Sequence, residues 1–360
     1  MAENADKKGW RTILLGGALA VAGALGVWTL ARVTPDGKGP LTVDTAAARF
    51  QDSFDKALPF RGGAAELWAR ARWALFGQGY RGVVVGTDGW LFTAEEFQDD
   101  PGLSVADPVA AAAAYQRRLA EAGMTLVIAL VPSKSRVYAG NLPSGAPWPR
   151  RYEAALEAFG RAGVPAVDLR PAMDPTAAGG DTFLRTDTHW SPLGAHRAAE
   201  SVRAYLGSAG LAPEPEASFS VARGSDAPYP GDLLAYLPER GAFFRALPEP
   251  DTLPESIWTE GGPAASDLAS ALFGAQVLPV ALVGTSYTAS ARWGFEAFLQ
   301  AELGVGTLNL AAEGSGPFTP MDQALGGGAL EANGVRLVLW EVPERYLPVS
   351  SLRADNEPCF

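Results

Sequence analysis

Three residue types in this chain stand in settings that suit acyl transfer. The run "VLPVALVGTSYTAS" carries an apolar strand pattern into Gly284, Thr285 and Ser286. A serine nucleophile needs a sharp strand-to-helix turn that exposes its hydroxyl and orients nearby backbone N–H groups. Gly284 permits that turn, and the Tyr287 backbone N–H is the one oxyanion donor the sequence places. The run is not G-x-S-x-G, because Thr288 stands at the second glycine, and Gly-Thr-Ser after a strand is also an ordinary loop. A base is offered by "RTDTHWSPLG", which holds His189, one of two histidines among 360 residues. Asp187 can accept from one imidazole nitrogen, leaving the other to take the Ser286 proton. Lone histidines are commonly structural, and Trp190 beside this one either shields the pair or simply packs. Metal binding fits less well: Asp181 and Asp187 around one histidine, with no cysteine nearby, make a poor ligand set.

The elements around these residues predict how they are positioned. Ser191 and Pro192 read as an N-cap and first helical position, which would hold the histidine loop at a helix start. "RGVVVGTDGWLF" reads as two short strands joined at a turn. "AAAAYQRRLAEAG" then "MTLVIALVPS", and "RYEAALEAFGRAGVPAVDLR" after them, repeat a helix–Gly–strand pattern. Strands apolar on both faces and alternating with helices predict a mostly parallel sheet covered on both sides. Residues 206–262 break the pattern with many Pro, Gly and Ser, and form an insertion containing "PYPGDLLAYLP". The pattern resumes through "AQVLPVALVGTS", "RWGFEAFLQAELG", "VGTLNLA" and "VRLVLWEVPERYL".

Composition narrows the function. An apolar fraction of 48% supports a substantial core. Forty acidic against 29 basic residues, a formal charge of −11, exclude a nucleic-acid partner, which needs dense Lys/Arg. They leave room for a neutral substrate, or for an anionic one held by a local basic patch. The single cysteine, Cys359, can form no disulfide within the chain. Residues 12–31 carry no charge and follow Lys7, Lys8 and Arg11. That length and flank predict an N-terminal transmembrane signal anchor after a cytoplasmic segment, 1–11. A cleavable signal peptide competes, through the small residues Ala22–Ala24. A stalk (32–44), a main domain (45–348) and a tail (349–360) follow.

"GTDGWLF", "VPSKSRVY", "TDTHWSPLGA", "GTSYTAS" and "LWEVPERYL", with "LPFRGG" and "GDLLAYLP", together resemble the AlgJ/AlgX-like polysaccharide O-acetyltransferases. The resemblance runs from about residue 45 to 348. It implies a three-layer α/β domain like a circularly permuted SGNH hydrolase, with its sheet mostly parallel. The family's "DTHW" acid and base fall on Asp187 and His189, and its nucleophile on Ser286. Thr288 departs from the family's "GTSYS". The implied activity is acetyl transfer, through an acetyl-serine, to hydroxyls of an exopolysaccharide such as alginate. No cofactor is implied. The implied partners are a membrane-bound O-acyltransferase that supplies acetyl groups and other proteins of polymer secretion. The implied location is the bacterial inner membrane, single-pass, with the catalytic domain in the periplasm.

Lys134 and Arg345, beside strand ends, and Trp190 are the expected substrate-binding residues; solvated basic residues are the plainer reading of the first two. Two other functions stay open: an acetylesterase on the same triad with water as acceptor, and a non-catalytic scaffold of a secretion complex, which would tolerate loss of Ser286.

Overall fold

The first described element is helix α1 (Arg61–Phe76). It buries Ala69 and Trp73, one helical turn apart. The computed structural model describes residues 61–97, 106–143, 151–239, 246–261 and 277–347. Helix α1 belongs to one unit, Met1–Phe76 with Pro238–Phe244; the elements below belong to a second, Gly77–Leu237 with Arg245–Phe360.

"RGVVVGTDGWLF" folds into antiparallel strands β1 (Val83–Val85) and β2 (Leu91–Thr93). Asp88 and Gly89 both have positive φ, 53° and 80°, the left-handed pair a tight hairpin turn requires. Helix α2 (Ala106–Glu121) leads into β3 (Thr125–Val131), and α3 (Arg151–Arg161) into β4 (Ala166–Asp168). Helix α4 (Pro192–Ser208) precedes four strands: β5 (Phe219–Arg223), β6 (Asp226–Tyr229), β7 (Asp251–Pro254) and β8 (Ile257–Gly261). Then come β9 (Val280–Val283), α5 (Phe295–Leu303), β10 (Thr307–Asn309), α6 (Phe318–Gly326) and β11 (Leu337–Pro343).

The core sheet has the order β10-β9-β11-β3-β4, and every neighbouring pair is parallel. Alternate residues of one strand feed opposite faces, because successive side chains in a strand point opposite ways. Val127, Ala129 and Val131 of β3 join Leu337, Leu339, Val280 and Leu282 against α4 and α5. Leu126, Ile128 and Leu130 join Val338, Trp340, Ala281 and Val283 against α2, α3 and α6. The result is three layers, helices–sheet–helices. Each large apolar side chain so buried contributes about 1.5–3 kcal/mol. A charge at Ile128 or Leu339, in mid-sheet, would reverse that contribution at its site.

The insertion is more regular than its composition predicts. Strand β5 pairs with β8 and β6 with β7, both antiparallel, so the two outer strands enclose the two inner ones. Half-buried and exposed residues alternate along β6, the pattern of a ribbon with one face in water.

One part of the expected architecture is corrected. Among the described residues no helix is long and apolar enough to cross a membrane. The longest of them, α4, has 17 residues and includes His196, Arg197, Glu200 and Arg203. The transmembrane helix and signal anchor, and with them the single-pass inner-membrane placement with a periplasmic domain, are therefore withdrawn: no described helix supplies a span. Residues 12–31, on which the span was read, lie outside the described residues, as do the 1–11, 32–44 and 349–360 segments.

Candidate active site

Ser286 follows β9 at the carboxyl end of the sheet, where open α/β sheets place their ligands. The turn that exposes it depends on Gly284. A Cβ there would stand 2.6 Å from Glu341 Oε2 and 2.9 Å from Glu341 Cβ, so only glycine lets β9 turn beside β11. Thr285 then caps the short helical turn Ser286–Ala289, its Oγ1 accepting from the Tyr287 N–H at 3.3 Å. Below the turn the buried Glu341 carboxylate accepts from the Thr285 N–H (2.7 Å), from Thr285 Oγ1 (3.0 Å) and from Thr288 Oγ1 (3.3 Å). Burial pushes Glu341 up to about 7, against those hydrogen bonds.

His189 arrives on a narrow arch that ends at α4. Phe183 and Trp190 form an antiparallel bridge across it, with Leu184 N–H donating to His189 O at 3.1 Å. Ser191 caps α4 as expected, accepting from the Gly194 N–H at 3.1 Å with Pro192 behind it. The arch and the nucleophile turn are bonded to each other in both directions. Trp190 Nε1 donates to Tyr287 O at 3.1 Å, and Tyr287 Oη donates to Thr188 O at 2.7 Å. These cross-bonds bring two segments 97 residues apart into register.

The three residues meet in one line. Ser286 Oγ lies 2.6 Å from His189 Nε2, and His189 Nδ1 lies 2.6 Å from Asp187 Oδ1. Asp187 is fully buried. Its Oδ1 also accepts from the His189 N–H (2.9 Å), and its Oδ2 from the Asp232 N–H (2.9 Å) and Tyr229 Oη (3.1 Å). Burial alone would raise its pKa, but the hydrogen bond and charge of His189, with the two backbone N–H groups, hold it at about 2. The aspartate is thus ionised while Nδ1 carries a proton, which leaves Nε2 to accept from Ser286.

Several residues of this site had no signal of their own in the sequence. The Trp293 ring stacks on His189, 4.5 Å between centroids and 13° from parallel, and its Nε1 donates to Ser286 O at 2.8 Å. Tyr229 and Asp232 come from the insertion that the sequence marks only by its Pro, Gly and Ser content. Asp232 accepts from the Thr188 N–H (2.8 Å) and Thr188 Oγ1 (2.7 Å). Burial and the adjacent Asp187 charge push its pKa up. Asp251, also from the insertion, accepts from the N–H groups of Arg185 and Thr186 at 2.9 and 2.8 Å. Gly231 lies flat on the arch, where a Cβ would meet Thr186 O at 2.2 Å.

Four expected roles are corrected by their surroundings. Lys134 is fully buried, and its Nζ donates to the carbonyls of Leu91 (2.6 Å), Asp187 (2.8 Å) and Arg185 (3.0 Å). Burial pulls it down to about 8, against the carboxylates of Glu96, Asp251 and Asp187. It holds the arch and presents no ammonium to substrate. Arg345 is buried over the Tyr287 ring, 3.2 Å from Tyr287 Oη and 3.3 Å from Glu95. Trp190 is fully buried against Tyr287 and Phe295. The Tyr287 N–H, expected at the oxyanion, is engaged by the Thr285 cap.

Asp187, His189 and Asp232 bring ligand-type atoms within 4.8 Å of one another. Their oxygens are already accepting from His189, Tyr229, Thr188 and the backbone, so the group is held by its own hydrogen bonds. A second group, His196, Glu200 and Glu302, lies half-exposed on α4 and α5 beside Arg197 and Arg203.

A family model described as "ALGX: SGNH hydrolase-like domain, acetyltransferase AlgX" matches residues 83–344, the stretch that contains the whole of this site. The chain belongs to the AlgJ/AlgX-like family. It is 38% identical over 322 residues to "Probable alginate O-acetylase AlgJ" of Pseudomonas aeruginosa, covering 87% of this chain and 82% of that protein. The same-named protein of Azotobacter vinelandii is 35% identical over 339 residues, 91% of this chain and 86% of the other. The solved structure "O-Acetyltransferase Domain of Pseudomonas putida AlgJ" superposes with a TM-score of 0.66 at 36% identity, covering 74% of this chain and 93% of that one. Pseudomonas aeruginosa AlgX, at 22% identity and a TM-score of 0.57 over 72% of this chain and 61% of that one, shares the fold. As an AlgJ/AlgX-like protein the chain is an acyltransferase, with O-acetyltransferase activity on an SGNH hydrolase-like scaffold.

Proposed function

We propose that this O-acetyltransferase works through an acetyl-serine at Ser286 and delivers the acetyl group to hydroxyls of an exopolysaccharide, alginate in particular. The observation that carries the reading is the unbroken hydrogen-bond line from Ser286 Oγ through His189 to Asp187. In the first half-reaction Oγ attacks the donor's acetyl carbonyl while its proton passes to His189 Nε2. The C–O bond to the donor's leaving group breaks as Nε2 returns that proton to it. In the second, a sugar hydroxyl gives its proton to Nε2 and attacks the acetyl-serine, and the proton then returns to Ser286 Oγ. Ionised Asp187 keeps Nδ1 protonated throughout and balances the imidazolium charge.

Alginate as acceptor is supported by the names of three similar relatives, each called "Probable alginate O-acetylase AlgJ". A membrane-bound O-acyltransferase as acetyl supplier, and other polymer-secretion proteins as neighbours, complete the reading.

The test is to incubate wild type and Ser286→Ala with an activated acetyl ester, with and without a uronate oligosaccharide. The wild type should carry an acetyl group on the Ser286 peptide by mass spectrometry, and acetylated oligosaccharide should accumulate. Ser286→Ala should show neither. Acetylated sugar from Ser286→Ala at the wild-type rate would refute the covalent route. Acetate released with no acetylated sugar would establish water as the acceptor.

A further inference from the structure

Beyond the acetyl-serine chemistry, and resting on that reading, the geometry assigns a specificity-determining residue. We propose that Arg292 selects an acceptor whose sugars carry carboxylates.

Arg292 lies six residues beyond the nucleophile, immediately before Trp293. Its guanidinium carbon is 5.1 Å from the centre of the Tyr229 ring. That ring is part of the site: Tyr229 Oη donates to Asp187 Oδ2, and its edge meets Trp293, whose face covers His189. Arg292 is exposed and covers a face of the Tyr229 ring, whose hydroxyl reaches the catalytic carboxylate from the ring's edge.

Its lack of a carboxylate partner separates it from several other arginines of the chain. Arg185 pairs with Asp181, Arg223 with Asp226 and Arg345 with Glu95. Among the described residues Arg292 has no carboxylate partner; its contacts are an aromatic face and its own backbone N–H to Ser290 Oγ. A guanidinium stacked on a ring keeps its N–H edge free, and that planar edge suits bidentate recognition of a carboxylate. The chain as a whole carries −11, so a polyanion meets net repulsion except where a local cation reverses it. An arginine with no carboxylate partner among the described residues, held on the Tyr229 ring beside the Ser286–His189–Asp187 line, supplies that reversal next to the site.

The test compares a uronate oligosaccharide with the same oligosaccharide after its carboxylates have been reduced to hydroxymethyl groups. Direct binding to the full chain is measured by calorimetry at low and raised salt. Wild type should bind the uronate form more tightly, and salt should weaken that preference. Arg292→Gln should raise Kd for the uronate form roughly fivefold, the upper range for one exposed charge pair, with a smaller effect on the reduced form. Arg292→Lys should restore part of the preference. The same pattern should appear in KM for acetyl transfer. Equal binding of both forms by wild type, no binding of either, or a preference unchanged in Arg292→Gln would each overturn the proposal. These outcomes are separate from the fate of the acetyl-serine, which is read on the Ser286 peptide whether or not an acceptor binds.

Discussion

Asp187 accepts four hydrogen bonds on two oxygens: two from His189, one from Tyr229 and one from the Asp232 N–H. Each carboxylate oxygen accepts from a backbone N–H, which can only donate, so an amide NH2 meets a donor at either position. In Asp187→Asn the amide would either face N–H donors or donate to Nδ1. The second arrangement moves the imidazole proton to Nε2, where it points at Ser286 and blocks proton acceptance. The volume is nearly unchanged, so the fold should persist while acetyl transfer falls steeply, on the order of 10⁴-fold by analogy with a Ser-His-Asp protease. Steady-state kinetics beside a thermal melt would check it, and a variant retaining a tenth of wild-type turnover would remove Asp187 from the mechanism. Because its pKa is held at about 2, below the ordinary 3.8, the stabilisation from ionised Asp187 is complete above pH 4. It is lost only as pH falls through about 2.

The nucleophile turn is governed from an adjacent strand. Glu341 lies at residue five of β11, and its carboxylate accepts from the backbone and hydroxyl of Thr285, the residue that caps the Ser286 turn. Its pKa is raised from 4.5 to about 7 because burial penalises the charge. The sign of the pH effect follows. Between about 4.5 and 7 the folded protein binds more protons at this position than the unfolded chain, so stability falls as pH rises through that window. Urea midpoints measured from pH 4.5 to 8 should show this decline in wild type, and Glu341→Gln should lack that part of it. Identical pH slopes in the two proteins would mean that Glu341 stays ionised in the fold.

At the scale of the molecule, Lys134 joins parts of the chain that are distant in sequence. It follows β3 in the sheet, and its ammonium group binds carbonyls of β2 and of the arch that carries Asp187 and His189. Aromatic faces of Trp90 and Phe92 stand 5.2 and 5.4 Å away. Lys134→Met would fill similar space and leave three carbonyls without this donor. Unmade hydrogen bonds of buried groups cost about 1–3 kcal/mol each, so a loss of at least roughly 3 kcal/mol is expected. Chemical denaturation should show it together with weakened acetylation, because the arch loses its anchor. A stability change below about 0.5 kcal/mol would show that water or rearrangement replaces the lysine.

Much of this protein was legible in its sequence because the relevant signals are local. Continuous apolar runs such as "TLVIALV" read as strands buried on both faces, since no side of them can meet water. Gly284 before Ser286, and Ser191-Pro192 after His189, mark a turn and a cap through backbone geometry that neighbouring residues set. Asp187, His189 and Ser286 stood out because few residue types can take and return a proton. The roles of Lys134, Trp190 and Arg345 were misread because burial depends on what the rest of the chain packs against them. A basic residue beside a strand end looks solvated in sequence, yet Lys134 is enclosed by β2 and the arch. Trp293, Tyr229, Asp232 and Glu341 join the site through tertiary contacts, across separations such as the 56 residues from Thr285 to Glu341. No sequence spacing encodes such a meeting. It follows from parallel strand order, which sets β11 beside β9, and from an insertion that folds back over the arch.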